Sequence, residues 1–376
     1  MSATDPLPAH PPGGPHDGPG ALVDAVIDKH ADDLVDLRRD LHAHPELSWA
    51  EERSTGIVAA RLEAAGWRVT RLPRTGVVAD LGSGGRRVAL RADMDALPVT
   101  DRSGDPWAST VPGVAHACGH DVHTAALLGA AYALAEVHAT GGMRGAVRLL
   151  FQPAEEVMPG GALSLLEQDV LAGVDRIFCL HCDPSVDVGE VGLREGSLTG
   201  AADQLEVRLV GGGGHTSRPH LTQDLTYAMG SLITGLPAAL SRRFDPRAGA
   251  SVVWGMVRAG QAPNVIPDEG HLAGTVRVLD AEAWSVAEEL VRTLIDQVVA
   301  PYGVRAEVTY TRGVPPVVSD HASVSLLAHA VERVLGVEGH VPTPQSLGGE
   351  DFGWYLGHVP GAMGRLGTRT PGGRSY

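Results

Sequence analysis

The chain has 376 residues, 43% of them hydrophobic, which is enough for a sizeable core and two domains and excludes an intrinsically disordered protein. A formal net charge of −15 argues against nucleic acid and anionic membrane as partners, and no apolar run is long enough to span a bilayer. Three cysteines are too few for a disulfide framework and fit a reducing compartment, so a cytoplasmic protein is expected.

Residues 1–20 have neither the basic start nor the apolar centre of a secretory signal, and their Pro, Gly and His content reads as a flexible tail. Beyond them Leu22, Val23, Val26, Ile27, Leu34, Leu37 and Leu41 recur at helical spacing. A second helix is predicted from about Glu51 to Ala65, stopped by Gly66. Short apolar runs at Val77, Val88, Val147 and Ile177 are of strand length, and the Ala- and Leu-rich stretch that starts at Asp121 reads as a helix among them. Strands alternating with helices predict an α/β domain with a largely parallel, buried sheet.

The pattern changes near Gly200. Strands are predicted at Gln204–Val210, Ser251–Val257, Gly270–Val278 and Arg305–Thr311, with helices at Leu225–Leu240 and Ala281–Ala300. That order, βαββαβ, is the split arrangement of ferredoxin-like domains. The simplest architecture has a catalytic α/β domain made of residues 21–199 and 313–376, with residues 200–312 inserted between them.

Four predicted strand ends carry groups suited to a metal. HACGHDVH sets Cys118 and His120 two apart at the start of a helix, whose N-terminus would favour a Cys118 thiolate. Thiolate and imidazole suit zinc, cobalt or nickel, and imidazole with carboxylate suits manganese. FQPAEE ends a strand with Glu155 and Glu156, a pair of like charges that needs a cation or a shared proton if buried. RIFCLHC delivers His181, and LRADMDALP delivers Asp93 and Asp95. Each alone has an ordinary alternative, such as a solvated loop or a strand-end hydrogen bond; together they point to metal chemistry. In the inserted segment, GGGGHTSRPH carries His215 and His220 and lacks the Lys and Thr of a phosphate loop, so a tight turn is expected there. Asn264 is able to hold a carbonyl or cap a turn, and Arg277 to hold a carboxylate or make a structural ion pair.

In series, LHAHPELSWAEE, LRADMDALP, HACGHDVH, FQPAEE, GGGGHTSRPH, APNVIPD, GGEDFGWYL and GRLGTRTPG resemble the metallopeptidase family of aminoacylases, hippurate hydrolases, indole-acetyl–amino-acid hydrolases and glutamate carboxypeptidases. The match is to its amidohydrolase branch with a cysteine ligand. The resemblance implies a zinc-peptidase-like catalytic α/β domain with an inserted ferredoxin-like dimerisation domain, and a homodimer. It implies two divalent ions (Mn, Zn, Co or Ni) held by Cys118, His120, Glu156 and His181, with Cys118 bridging. Glu155 would be the general base, His215 would stabilise the oxyanion, and Asn264 and His220 would hold substrate, an N-acyl amino acid or related small amide. Relatives of this branch continue into a further ligand histidine and a closing helix beyond the equivalent of Tyr376, so a catalytically weakened metal- or ligand-binding protein is the alternative. A cysteine nucleophile at Cys118 with His120 as base is a third reading, and it leaves both glutamates unexplained.

Overall fold

The computed structural model describes residues 19–370. Most of the expected tail, and residues 371–376 at the other end, lie outside that range; Pro19 and Gly20 already belong to the first helix, Pro19–Ala43. No helix among the described residues is long and apolar enough to cross a membrane.

The larger sheet has eight strands. At its centre Arg87–Asp93 runs parallel to both Ala146–Gln152 and Arg176–Asp187, and Gly361–Arg369 runs parallel to Arg176–Asp187 on the far side. The expectation of a largely parallel sheet holds at this centre and at one edge, where His340–Pro342 runs parallel to Val191–Leu193, but not throughout. Val77–Gly82 joins antiparallel, because a chain leaving one strand by a short turn returns beside it in the opposite sense. The sheet is therefore mixed.

Alternation along one strand shows how both faces are covered. In Ala146–Gln152, Leu149 and Phe151 join Leu37, Val58, Leu62 and Leu128 under the helices Pro19–Ala43, Glu52–Ala64 and His120–Ala139. Leu150, between them, faces the other way and packs with Leu165, Ile177, Phe352 and Tyr355. Each of these three residues is fully buried, which stabilises the fold by about 1.5–3 kcal/mol per side chain.

The second sheet has four antiparallel strands in the order Ser251–Ala259, Glu269–Val278, Ala201–Val210, Arg305–Val314. Helices Leu225–Arg243 and Ala281–Val299 cover one face, burying Leu205, Val207, Leu209, Leu232, Val291 and Ile295 in one cluster. Asp224 and Asp280 cap them by accepting the backbone N–H groups of Tyr227 and Ala283. This is the predicted βαββαβ order. An added ribbon pairs Gly214–His215 with Val265–Ile266, so the four glycines lead into a strand pair rather than a bare turn.

Candidate metal centre

The centre forms where the parallel strands end, the position at which open α/β sheets place their sites. Asp93 closes one strand opposite Gln152, and the chain beyond Gln152 turns through Pro153 and Ala154 to Glu155 and Glu156. Ala154 is fully buried and has φ +56°, a left-handed conformation that a side chain disfavours. Glu51 compensates: its fully buried carboxylate accepts the Ala154 N–H at 2.8 Å and the Thr75 hydroxyl at 2.6 Å.

Asp95 then aims the next two residues. Its Oδ1 accepts the Glu155 N–H at 3.0 Å and its Oδ2 the Glu156 N–H at 2.9 Å, while Ser48 donates to Oδ2 at 2.7 Å. Burial opposes ionisation of Asp95, but His120 and Ser48 outweigh it and hold the carboxyl below its usual range.

From the facing helix, Gly119 (φ +83°) turns the chain so that Cys118 and His120 flank it. A Cβ at that glycine would stand 2.9 Å from Cys182 Sγ. Donor atoms of Cys118, His120 and Glu156 lie within 4.8 Å of one another. Both ring nitrogens of His120 and Oε1 of Glu156 are buried without a hydrogen-bond partner, and buried polar atoms are seldom left so. His181 stands edge-on to His120, ring centroids 6.1 Å apart. Its Nδ1 donates to the Cys182 carbonyl at 2.7 Å, which leaves Nε2 as a free lone pair. Burial and neighbouring His123 push His181 down to about 4, keeping it neutral. Sulfur, imidazole and carboxylate donors with unsatisfied atoms converging in a buried site fit a divalent cation.

Charge says the same. Asp93, Asp95, Glu155, Glu156, Glu350 and Asp351 gather here, and donor oxygens of Glu155, Glu350 and Asp351 lie within 4.8 Å of one another. Arg91, 3% exposed, counters part of this: it pairs with Asp93 at 2.5 Å, Asp351 at 2.8 Å and Glu350 at 3.1 Å, and donates to Gln152 at 3.0 Å. Burial, Glu350 and Asp351 hold Glu155 well above the usual carboxylate range. Burial also raises Cys118, and Glu156 and Glu155 add to it. In the polypeptide alone, burial and the carboxylates thus work against the thiolate that the helix N-terminus favours at Cys118, and a cation among these side chains would favour it.

His123 belongs to the same constellation but is fully engaged. Its Nδ1 donates to Asp93 at 2.5 Å and its Nε2 accepts the Cys182 N–H at 2.8 Å, so neither nitrogen is left for a metal.

The structure brings Cys118, His120, Glu155, Glu156 and His181 together. His215 and Asn264 sit instead on the exposed ribbon of the four-stranded unit, where the Asn264 carbonyl accepts the Thr216 N–H at 3.2 Å and His215 Nδ1 accepts from Ser217. His220 is exposed on the short helix Pro219–Leu221. Arg277 reaches from that unit to the loop that leads to Glu350 and Asp351, donating from Nη1 to the Leu347 carbonyl at 3.1 Å. No ion pair of Arg277 within 4.0 Å is found among the described residues. Glu51, Arg91, Glu350 and Asp351 join the centre without a role assigned from sequence; their one signal is membership of the LHAHPELSWAEE, LRADMDALP and GGEDFGWYL motifs.

The model of peptidase family M20/M25/M40 matches residues 89–376. A longer Rhodococcus jostii protein, named provisionally as a glutamate–cysteine ligase, is 49% identical over 337 residues, 89% of this chain but 42% of that protein. The match therefore spans less than half of that relative's length. N-acetylcysteine deacetylase of Bacillus subtilis is 39% identical over 339 residues, 89% of this chain and 88% of that protein. The crystal structure of the Bacillus subtilis YxeP protein, described as a dinuclear metal binding peptidase of family M20, superposes with a TM-score of 0.79 at 36% identity, covering 91% of this chain and 90% of that one. Matched over most of its length in sequence and in fold, the chain belongs to peptidase family M20/M25/M40.

Proposed function

We propose that the chain is a metallo-amidohydrolase that cleaves the amide bond of N-acyl amino acids or related small conjugates. One observation carries this reading: beside Cys118, both His120 nitrogens and Glu156 Oε1 lack hydrogen-bond partners and converge where a cation would sit, while adjacent Glu155 groups with Glu350 and Asp351 and has its proton affinity raised. Two divalent ions (Mn, Zn, Co or Ni) held by Cys118, His120, Glu156 and His181 would polarise the scissile carbonyl and make water a stronger acid. Glu155 takes the proton from the attacking water and delivers it to the leaving amine. His215, carried on the exposed ribbon, donates to the developing oxyanion, with Asn264 and His220 holding substrate. Arg277, a half-buried cation without a carboxylate partner among the described residues, receives the amino-acid carboxylate. The deacetylase relative supports the substrate class, and the dinuclear neighbour supports the ion count. The exposed face of the four-stranded unit serves as the surface for a homodimer, in a reducing, cytoplasmic setting.

The test is bound metal together with turnover of acetyl-, benzoyl- and indole-acetyl-amino acids, before and after a chelator. Turnover is expected to vanish with the metal and return on its addition. Undiminished turnover of the metal-free protein would refute the reading.

A further inference from the structure

The four-stranded unit touches one short catalytic segment, residues 347–354, at three places. Arg277 donates to the Leu347 carbonyl at 3.1 Å. Gly349 lies against Ala202 and Val314, where the chain enters and leaves the unit: a Cβ there would stand 2.8 Å from Ala202 Cβ and 3.0 Å from Val314 Cγ2. The Trp354 ring stands edge-on to Trp284 of the unit, centroids 5.9 Å apart.

The middle of the same segment reaches the candidate base. Glu350 and Asp351 have oxygens within 4.8 Å of Glu155. Asp351 is tied down by Arg91, Gln152 and the Ala162 N–H. Glu350 is held through Oε1, by the Phe352 N–H at 2.9 Å and Arg91 at 3.1 Å, while its buried Oε2 has no hydrogen-bond partner. At the far end Trp354 Nε1 donates to the Pro159 carbonyl at 3.1 Å, on the loop that continues from Glu155 and Glu156. One segment thus meets the unit at its ends and the base in its middle.

We propose that residues 347–354 form a positioning relay, through which capture of the substrate carboxylate by Arg277 sets Glu350 against Glu155. This rests on the reading of Arg277 as the carboxylate-holding residue. The coupling has a physical source: the guanidinium that would take the carboxylate is the one that holds Leu347, so occupancy interacts differently with different placements of the segment. Gly349 and Trp354 act through Glu155 and are positioning residues. A substrate without the carboxylate leaves the relay unused.

The experiment compares the wild type with Gly349→Ala and Trp354→Phe. Gly349→Ala wedges the segment away from Ala202 and Val314; Trp354→Phe keeps a ring and removes the N–H to Pro159, and so remains informative if the alanine variant fails to fold. The substrates are the acyl-amino acid that the wild type turns over fastest and its decarboxylated analogue, the same acyl group on a simple amine. The expected result is a fall in kcat of about tenfold for the acyl-amino acid, with KM and the analogue's kcat each changed by less than about twofold. Bound metal stays at the wild-type level. Equal losses on both substrates, loss of metal, or no loss in either variant overturns the relay. A wild type that turns over no acyl-amino acid overturns the functional reading, and the relay with it, and so is told apart from failure of the relay alone.

Discussion

Asp95 accepts the backbone N–H of Glu155 at 3.0 Å, and with its other oxygen it takes the next N–H along, that of Glu156. One carboxylate thereby sets the direction of two neighbouring side chains, one assigned to proton transfer and one to metal. Asp95→Asn keeps the shape but puts an NH2 group where an acceptor is needed, opposite one of these N–H donors. Leaving that buried donor unmet is expected to cost about 1–3 kcal/mol. Loss of an outer partner of this kind lowers metal affinity by about 10–100-fold. Chelator competition and urea denaturation measure the two effects. An Asp95→Asn protein with wild-type metal affinity would show that Glu156 is positioned by something else.

His123 and His120 make a contrasting pair on one helix. Neither nitrogen of His120 makes a hydrogen bond, although Asp95 lies 3.4 Å from Nδ1, whereas both nitrogens of His123 are bonded, to Asp93 and to the Cys182 N–H. His120→Ala is therefore expected to lose metal. His123→Ala is expected to keep the wild-type stoichiometry while losing stability, about 1–3 kcal/mol for each buried group left unpaired. Elemental analysis of the two purified variants decides, and equal metal loss in both would make His123 a ligand.

How much of this was legible in the sequence depends on the range of the interaction. The proposed ligand side chains are visible because Glu156 follows and His181 lies in a strand of recognisable pattern, and because Cys118 and His120 stand together at the start of one helix. The βαββαβ order is visible because its strands and helices alternate locally. Arg91 is different. In a strand an arginine ordinarily marks a solvent-facing position, and its burial becomes tolerable because partners distant in sequence, Gln152, Glu350 and Asp351 (the last 260 residues away), join nearby Asp93 around it. Glu51 is illegible for the same reason: its partner is the N–H of Ala154, 103 residues on. The antiparallel edge was also hidden, since strand length and apolar content do not encode direction.

A pH dependence follows from His42. Its Nδ1 donates to Asp121 at 2.8 Å, and Asp101 lies 3.4 Å from Nε2; Arg38 shares Asp121, and the His116 ring is 6.4 Å away. The bond to Asp121 raises His42 above its ordinary 6.5, against the opposing effect of burial. A raised folded-state value means that the proton binds more tightly in the folded chain. The resulting stability is complete below pH 6.5 and is lost as pH rises through the raised value. Asp121 is shifted the other way, below 3.8, so its contribution is present above pH 3.8 and fails only in acid. His42→Gln is expected to flatten the decline in urea midpoint as pH rises above 6.5, relative to the wild type. An unchanged slope would mean that another group titrates there.

Glu155→Gln separates chemistry from metal binding. The amide matches the carboxylate in size, cannot carry a proton from water to amine, and removes one charge from the crowd that Glu155 forms with Glu350 and Asp351. Because burial and those two acids already oppose ionisation of Glu155, the neutral amide is expected to leave the fold as stable as the wild type or more so. Metal content is expected to hold, since the unsatisfied donor belongs to Glu156. Turnover, in contrast, is expected to fall by about 10²–10⁴-fold, the usual scale for loss of a general base. Glu156→Gln makes the converse case: it leaves the base in place and weakens a ligand, so activity is expected to fall in step with bound metal and to recover partly when metal is supplied in excess. Both proteins are assayed for kcat, metal content and thermal midpoint. If Glu155→Gln loses metal as Glu156→Gln does, the division of labour between the two glutamates is wrong, and Glu155 must be counted among the ligands.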